Sequence, residues 1–132
     1  MERATPSREE LRRAADFRLA LRRFHNVTQR VARAHGLTSR QYLLLLIVES
    51  SDARRTTIGE LTKALHLVPS TMTGLLDRAE AAGVLVRSPA ADDGRVAYVQ
   101  ATPEGRRRLM RAFRELADER RAVASSATPI LE

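Results

Sequence analysis

Apolar residues recur at three- and four-residue spacing from Leu11 through Phe17, Leu21, Phe24, Val27 or Thr28, and Val31, while Arg12, Arg13, Arg18, Arg22 and Arg30 fall largely elsewhere. That pattern predicts one long amphipathic helix ending before Gly36. Thr38 and Gln41 stand at capping-box spacing ahead of Tyr42-Leu43-Leu44-Leu45-Leu46-Ile47-Val48, so a second helix, apolar nearly all round, belongs at the buried centre. Residues 50–56 read as a polar connector. Thr57 and Glu60 then repeat the capping-box spacing before Ile58, Leu61, Ala64 and Leu65, a short third helix. Pro69 suits a first helical position and Gly83 a C-terminal cap, which places a fourth helix over about 69–82. Met72, Leu75, Leu76 and Ala79 form its inward stripe. Ser70, Thr71, Thr73, Gly74, Asp77, Arg78 and Ala81 remain outside, a small, polar and flat face. Val84-Leu85-Val86-Arg87 and Val96-Ala97-Tyr98-Val99-Gln100 have strand composition around a turn-rich tip, predicting a two-stranded ribbon over about 84–101. Thr102 and Pro103 open a final long helix carrying Leu109, Phe113, Leu116 and Val123, which fades near Ser125 and is ended by Pro129.

Composition narrows this picture. A chain of 132 residues with 43% hydrophobic residues fits one compact domain, in which 1–36, 37–102 and 103–132 are regions rather than separate units. The absence of Cys excludes disulfide scaffolds and thiol chemistry. The apolar run Tyr42 to Val48 is far short of the roughly 20 residues needed to cross a bilayer, and the charged stretch Met1 to Glu10 is unlike a signal peptide, so the expected location is the cytoplasm. The net charge of +7 favours a phosphate-bearing partner, yet it is unevenly placed. Residues 1–35 carry nine Arg against four acids, whereas 36–102 carry seven basic and seven acidic residues. Charge alone therefore decides little.

The order helix, helix, connector, helix, ribbon describes a mainly α winged helix-turn-helix whose fourth helix would enter a major groove. Pro69-Ser70-Thr71-Met72-Thr73-Gly74-Leu75-Leu76-Asp77-Arg78-Ala79-Glu80-Ala81-Ala82-Gly83-Val84-Leu85-Val86-Arg87, then Asp93-Gly94-Arg95, then Val99-Gln100-Ala101-Thr102-Pro103-Glu104-Gly105 resemble the multiple-antibiotic-resistance repressor (MarR) family of bacterial transcriptional regulators. The likeness runs from about Leu37 to Gly105, and the Asp-x-Arg wing followed by a strand and Thr-x-x-Gly is its most specific part. It implies a homodimer with interleaved first and last helices, two winged domains on a palindromic operator, repression of nearby genes, and release by a small aromatic or anionic effector. Three departures stand out: Gly74 where many members carry a larger, often basic, side chain, Ala79 in place of the usual Leu, and a short tail after Val123, in which the extra C-terminal helix of many members is expected to be missing or rudimentary.

Each candidate contact has a plainer alternative. Ser70, Thr71 and Thr73 suit phosphates or base edges, and equally suit helix starts. Arg78 suits a phosphate or a guanine, or else an ion pair with Asp77, Glu80 or Glu119. Arg95 at the wing tip suits an adjacent minor groove, oriented by Asp93 as the resemblance implies, or stands in an exposed turn. Thr38, Ser39 and Arg40 open the second helix, where amides and a cation can hold a phosphate, although capping alone explains Thr38. Arg54 and Arg55 either touch the DNA backbone or are merely solvated.

No phosphate loop, nucleophile motif or carboxylate pair forms a catalytic constellation, and His25, His35 and His66 are too scattered for a metal site. A non-enzyme without metal or cofactor is expected. Phe17, Phe24, His25 and Tyr42 are the residues able to stack on or hydrogen-bond an aromatic effector; packing explains each singly. Phe17, Leu21, Phe24, Val31, Leu109, Phe113, Leu116 and Val123 are the apolar positions assigned to dimerisation. Two other classes compete: a winged-helix dimer without specific operator reading, acting by protein contacts or nonspecific DNA binding, and a basic amphipathic protein resting on a membrane. The second is disfavoured because the same helices need their apolar faces for a core.

Overall fold

The structure, a computed structural model, describes residues 3–89 and 96–131. Its helices are α1 Arg8–Ala34, α2 Ser39–Ser50, α3 Ile58–Ala64, α4 Pro69–Ala81, α5 Pro103–Glu115 and α6 Ala117–Leu131, and its strands are β1 Arg55–Thr57, β2 Leu85–Pro89 and β3 Ala97–Ala101. The capping boxes read from spacing are formed: the Thr38 hydroxyl accepts from the Gln41 N–H while the Gln41 side chain returns to Thr38, and Thr57 pairs likewise with Glu60. A third box, Ser7 with Glu10, opens α1. Pro69 and Pro103 occupy first-turn positions, and Gly36 and Gly83 take the left-handed conformation (φ 77° and 74°) that ends α1 and α4.

α2 is the central element. Leu44, Leu45 and Val48 are fully buried, and around them close Leu61 of α3, Met72, Leu76 and Ala79 of α4, Val99 of β3, and Leu109, Ala112 and Leu116 of the C-terminal helices. Each such Leu contributes about 1.5–3 kcal/mol of burial, so this cluster fixes the angle at which α4 stands out from the body.

Four expectations need correction. The connector at 50–56 contains a 3-10 turn, Asp52–Arg54, and then β1, which pairs antiparallel with β3 (Arg55 opposite Gln100, Thr57 opposite Tyr98). The ribbon is therefore a three-stranded sheet in the order β1-β3-β2. A strand of three residues with a polar exterior leaves no alternation to detect; only Thr56 between Arg55 and Thr57 is buried. The final helix is two: α5 closes at Leu116 (φ −89°, ψ 4°) and α6 packs back along α1, with Arg23 3.5 Å from Glu119. The apolar spacing passes smoothly through this bend because Leu116 is itself the buried pivot. Pro129 does not end the helix, which runs to Leu131: proline removes only the one bond its N–H would give to the carbonyl four residues back, and the turn it weakens is the last. Finally, Leu109 and Leu116 are 2% and 0% exposed, packed in the core of this same chain, so neither is free to face a second copy.

Candidate nucleic-acid interface

α4 projects its polar face outward as the apolar stripe requires. Met72, Leu75, Leu76 and Ala79 are buried, Ser70, Thr73, Asp77, Arg78 and Ala81 are exposed, and Thr71 and Gly74 are half-buried. Val68 occupies the N-cap position and supplies no side-chain cap, so the first amides of α4 lack a side-chain acceptor. The Thr73 hydroxyl donates to the Pro69 carbonyl at 3.0 Å, which leaves it able only to accept from a partner.

The acids beside this face are occupied by a residue that spacing did not single out. Arg87 of β2 donates from Nη2 to Asp77 at 2.6 Å and from Nε to Glu80 at 2.7 Å, and its backbone N–H also donates to Glu80 at 2.9 Å. The hydrogen bond from Arg87 is the main reason the Glu80 carboxyl is held below its ordinary pKa, and Glu80 in turn is the leading cause that raises Arg87. One guanidinium thus ties α4 to β2. The signal was faint: two acids three residues apart on one helix and a lone Arg on the following strand, which only the α4–β2 packing brings together.

Those pairings bear on Arg78. Of its three alternative partners, Asp77 and Glu80 bind Arg87, and Glu119 lies against Arg23. Arg78 makes no ion pair among the described residues; its guanidinium lies back over Gly74, with Nη1 3.4 Å and Nη2 3.8 Å from where a Cβ would stand. Thr38, Ser39 and Arg40 lie together at the start of α2, with the Thr38 hydroxyl committed to its cap and Arg40 exposed. Arg54 is exposed at φ 52°, whereas Arg55 stacks over the Tyr98 ring at 4.1 Å from its centroid, a packing role along the β1–β3 edge. Asp93 and Arg95 lie outside the described residues.

A cavity of about 260 Å³ opens between α1, α2, α5 and α6. Phe24, His25 and Tyr42 line it; Phe17 does not. Thr28, Phe113 and Arg120 join them unannounced by the sequence, because the bend at Leu116 alone turns Arg120 inward. Arg120 lies 3.6 Å above the Phe113 ring and donates to the Phe113 carbonyl at 2.6 Å. The buried Thr28 hydroxyl has no partner, the single such side-chain atom among the described residues. Burial pushes the Tyr42 phenol up, partly opposed by Arg120, so it stays neutral.

Exposed apolar side chains lie on both arms: Leu11 (60%), Leu19 (64%) and Leu21 (39%) on α1, and Met110 and Phe113 (39% each) on α5. Of the remaining dimerisation positions, Phe17, Phe24, Val31 and Val123 are half-buried. No helix among the described residues is long and apolar enough to cross a membrane.

Comparison with known proteins agrees with this architecture. No curated protein matches by sequence. The DNA-complexed structure of Sco3205, a MarR family transcriptional regulator from Streptomyces coelicolor, superposes with a TM-score of 0.74 at 24% identity, covering 92% of this chain and 77% of that one. AbsC, another MarR family transcriptional regulator from Streptomyces coelicolor, gives 0.71 at 19% identity over 100% and 86%. The DNA-complexed Mycobacterium tuberculosis transcriptional regulator MOSR gives 0.66 at 26% identity over 83% and 77%. Residues 35–96, the span from the end of α1 to the start of β3, match the model of the MarR family, and the winged-helix fold around them is the one those MarR family structures share.

Proposed function

We propose that the chain is a DNA-binding transcriptional regulator, without catalytic activity, that works in the cytoplasm as a homodimer and represses by occluding a promoter. The observation that carries this reading is the outward face of α4: Ser70, Thr73 and Arg78 stand clear of the core while Arg87 pairs with the two adjacent carboxylates and offsets one of their two charges, so the face offers a cation and hydroxyls against reduced opposing charge. Similar folds have been captured on DNA, in Sco3205 and MOSR. Affinity comes mostly from phosphate contacts, among them Arg40 and the amides at the starts of α2 and α4; specificity comes from Ser70, Thr71, Thr73, Gly74 and Arg78, joined by Asp93 and Arg95 as the sequence resemblance implies.

Two linked copies are needed because a single winged region with balanced charge binds DNA weakly, and joining two raises the local concentration of each. The exposed side chains of α1 and α5 supply the apolar surface, and a two-fold axis matches half-sites about one helical turn apart. The cavity beneath α1 suits a small aromatic anion: Phe24 and Tyr42 offer ring faces, Arg120 a cation and Thr28 an unused hydroxyl. Binding there would change the angle between the arm helices and the winged region and so lower DNA affinity.

Footprinting on the DNA flanking the gene, with competition by random duplex at physiological salt, tests the regulator. A protected two-fold site that survives competition is the expected result. Equal displacement by random duplex would favour the nonspecific alternative. For the effector, salicylate as a probe should raise the thermal midpoint and weaken operator binding together; stabilisation without any change on DNA would reject the coupling.

A further inference from the structure

Arg78 starts from the third turn of α4, yet base edges are read by the N-terminal half of a groove-seated helix. Long side chains on a helix run back toward its N-terminus and cover the turn before their own Cα, so the surface under Arg78 is that of residue 74. Residue 74 is glycine, and the guanidinium rests there: Nη1, Nη2 and Cζ stand 3.4, 3.8 and 3.9 Å from the position of an added Cβ. An alanine would just touch it. Any side chain with a γ atom would take the space the guanidinium fills. A glycine within an exposed helical face is also unfavourable by about 0.8–1.0 kcal/mol relative to alanine, and no positive φ at Gly74 calls for one.

We propose that Gly74 and Arg78 act as one specificity-determining unit, in which the missing side chain at 74 gives Arg78 a shallow bed that carries its guanidinium forward to the edge of a guanine in each half-site. This rests on the operator-reading function proposed above. Two surrounding arrangements fit it. Arg87 takes both neighbouring carboxylates, which would otherwise draw Arg78 sideways, and Thr73, the other outward polar residue of that turn, has turned its hydroxyl proton to Pro69. The planar fork of Arg78 is then the donor group best placed to meet the O6 and N7 acceptors of guanine, a two-bond geometry that an ammonium, a point charge without the fork, meets only poorly.

The test is selection from a randomised double-stranded DNA library with the full chain, followed by affinity measurement on the enriched sequence and its single-base variants at two salt concentrations. Wild type should enrich a two-fold sequence with one guanine per half-site that disfavours substitution by roughly ten- to a hundredfold. Arg78→Ala and Arg78→Lys should both lose that preference, with Lys keeping the salt slope. Gly74→Ala should keep the preference and raise the thermal midpoint. Gly74→Leu should lose it, and should lose nothing more at that position when combined with Arg78→Ala. An Arg78→Lys variant that discriminates like wild type shows that the preference does not depend on the guanidinium fork and overturns the proposal. So does an additive loss in the double variant that combines Gly74→Leu with Arg78→Ala, which would mean that residue 74 meets DNA by itself. An enriched sequence indifferent to Arg78→Ala refutes the pairing while leaving operator reading intact; a wild-type chain that enriches nothing removes both.

Discussion

Gly105→Ala is the substitution to which the winged region should be most sensitive. A Cβ on residue 105 would stand 2.0 Å from the Val84 carbonyl oxygen, 2.8 Å from its carbon and 3.0 Å from its Cα, all backbone atoms without a rotamer to change. Real contacts of that kind essentially never fall below 3.0 Å, so α5 and the start of β2 must part by at least about 1 Å. That junction is held by the Thr102 N–H to Val84 carbonyl bond at 3.1 Å and by the Thr102 hydroxyl, which donates to the Gly83 carbonyl at 2.6 Å and accepts from the Gly105 N–H at 2.9 Å. Losing two of these bonds costs about 0.5–1.5 kcal/mol each, and forced separation in a packed region about 1–3 kcal/mol more. The better helix propensity of alanine returns up to about 1 kcal/mol. The expected net loss is about 1–6 kcal/mol, or roughly 3–20 °C in thermal midpoint for a domain of this size. Urea unfolding followed by circular dichroism measures it. A variant within about 0.5 kcal/mol of wild type would show that the close approach of helix to strand is not what the glycine serves.

His66 holds φ 52° just beyond α3, where its backbone N–H reaches the Lys63 carbonyl, so His66→Gly should raise stability by about 0.5–1 kcal/mol; a loss on urea unfolding would contradict the strain. Glu10, Glu80 and Glu104 all have folded-state pKa values below their ordinary ones, so the stability they add is complete above the ordinary carboxylate range and fades as pH falls through the lowered values. Glu80→Gln should accordingly be less stable than wild type near neutrality and converge with it in acid; an equal gap at pH about 3 and about 7 would disprove the linkage. Leu21→Glu with Phe113→Glu should abolish dimer and operator binding together while leaving the monomer folded, since both side chains are 39% exposed in the single chain. Sedimentation that finds the double variant dimeric, or a monomer that still protects both half-sites, would overturn the assembly.

Local chemistry explains which parts of the fold the sequence disclosed. Thr38 with Gln41, Thr57 with Glu60, Pro69, Gly83, Thr102 and Pro103 act within one turn of their own position, so spacing alone predicts the bonds that form. The stripe Met72, Leu75, Leu76, Ala79 is equally local and is buried as expected. β1 and the bend at Leu116 are set by distant partners. The strand exists because β3 offers it an edge, and the bend because α1 offers α6 a flank. Likewise, an apolar stripe says that a side chain will be covered and not by what, which is why Leu109 and Leu116 read as interface and prove to be core.

The candidate site divides along the same line. Residues facing out from one helix, Ser70, Thr73 and Arg78, follow from helical period, whereas everything that sets their chemistry arrives from elsewhere in the chain. Arg87 crosses from β2 to pair with Asp77 and Glu80 and offset one of their two charges, and Arg120 crosses from α6 to bring a cation to Tyr42 and Thr28. Both side chains sit at joints between elements: the first between α4 and β2, the second among α1, α2, α5 and α6. An ion pair at such a joint contributes little net stability for the charge it buries, but it narrows the angles the joint can take. Under the proposed function, two reading heads at fixed spacing need their angles held more than their cores strengthened. Arg87→Met, which keeps length and apolar stem while releasing both carboxylates, should therefore lower DNA affinity by more than any change in thermal midpoint accounts for, since Asp77 and Glu80 would then face the phosphates unpaired. An affinity that falls only in step with stability, measured at temperatures well below unfolding, would confine Arg87 to a structural role.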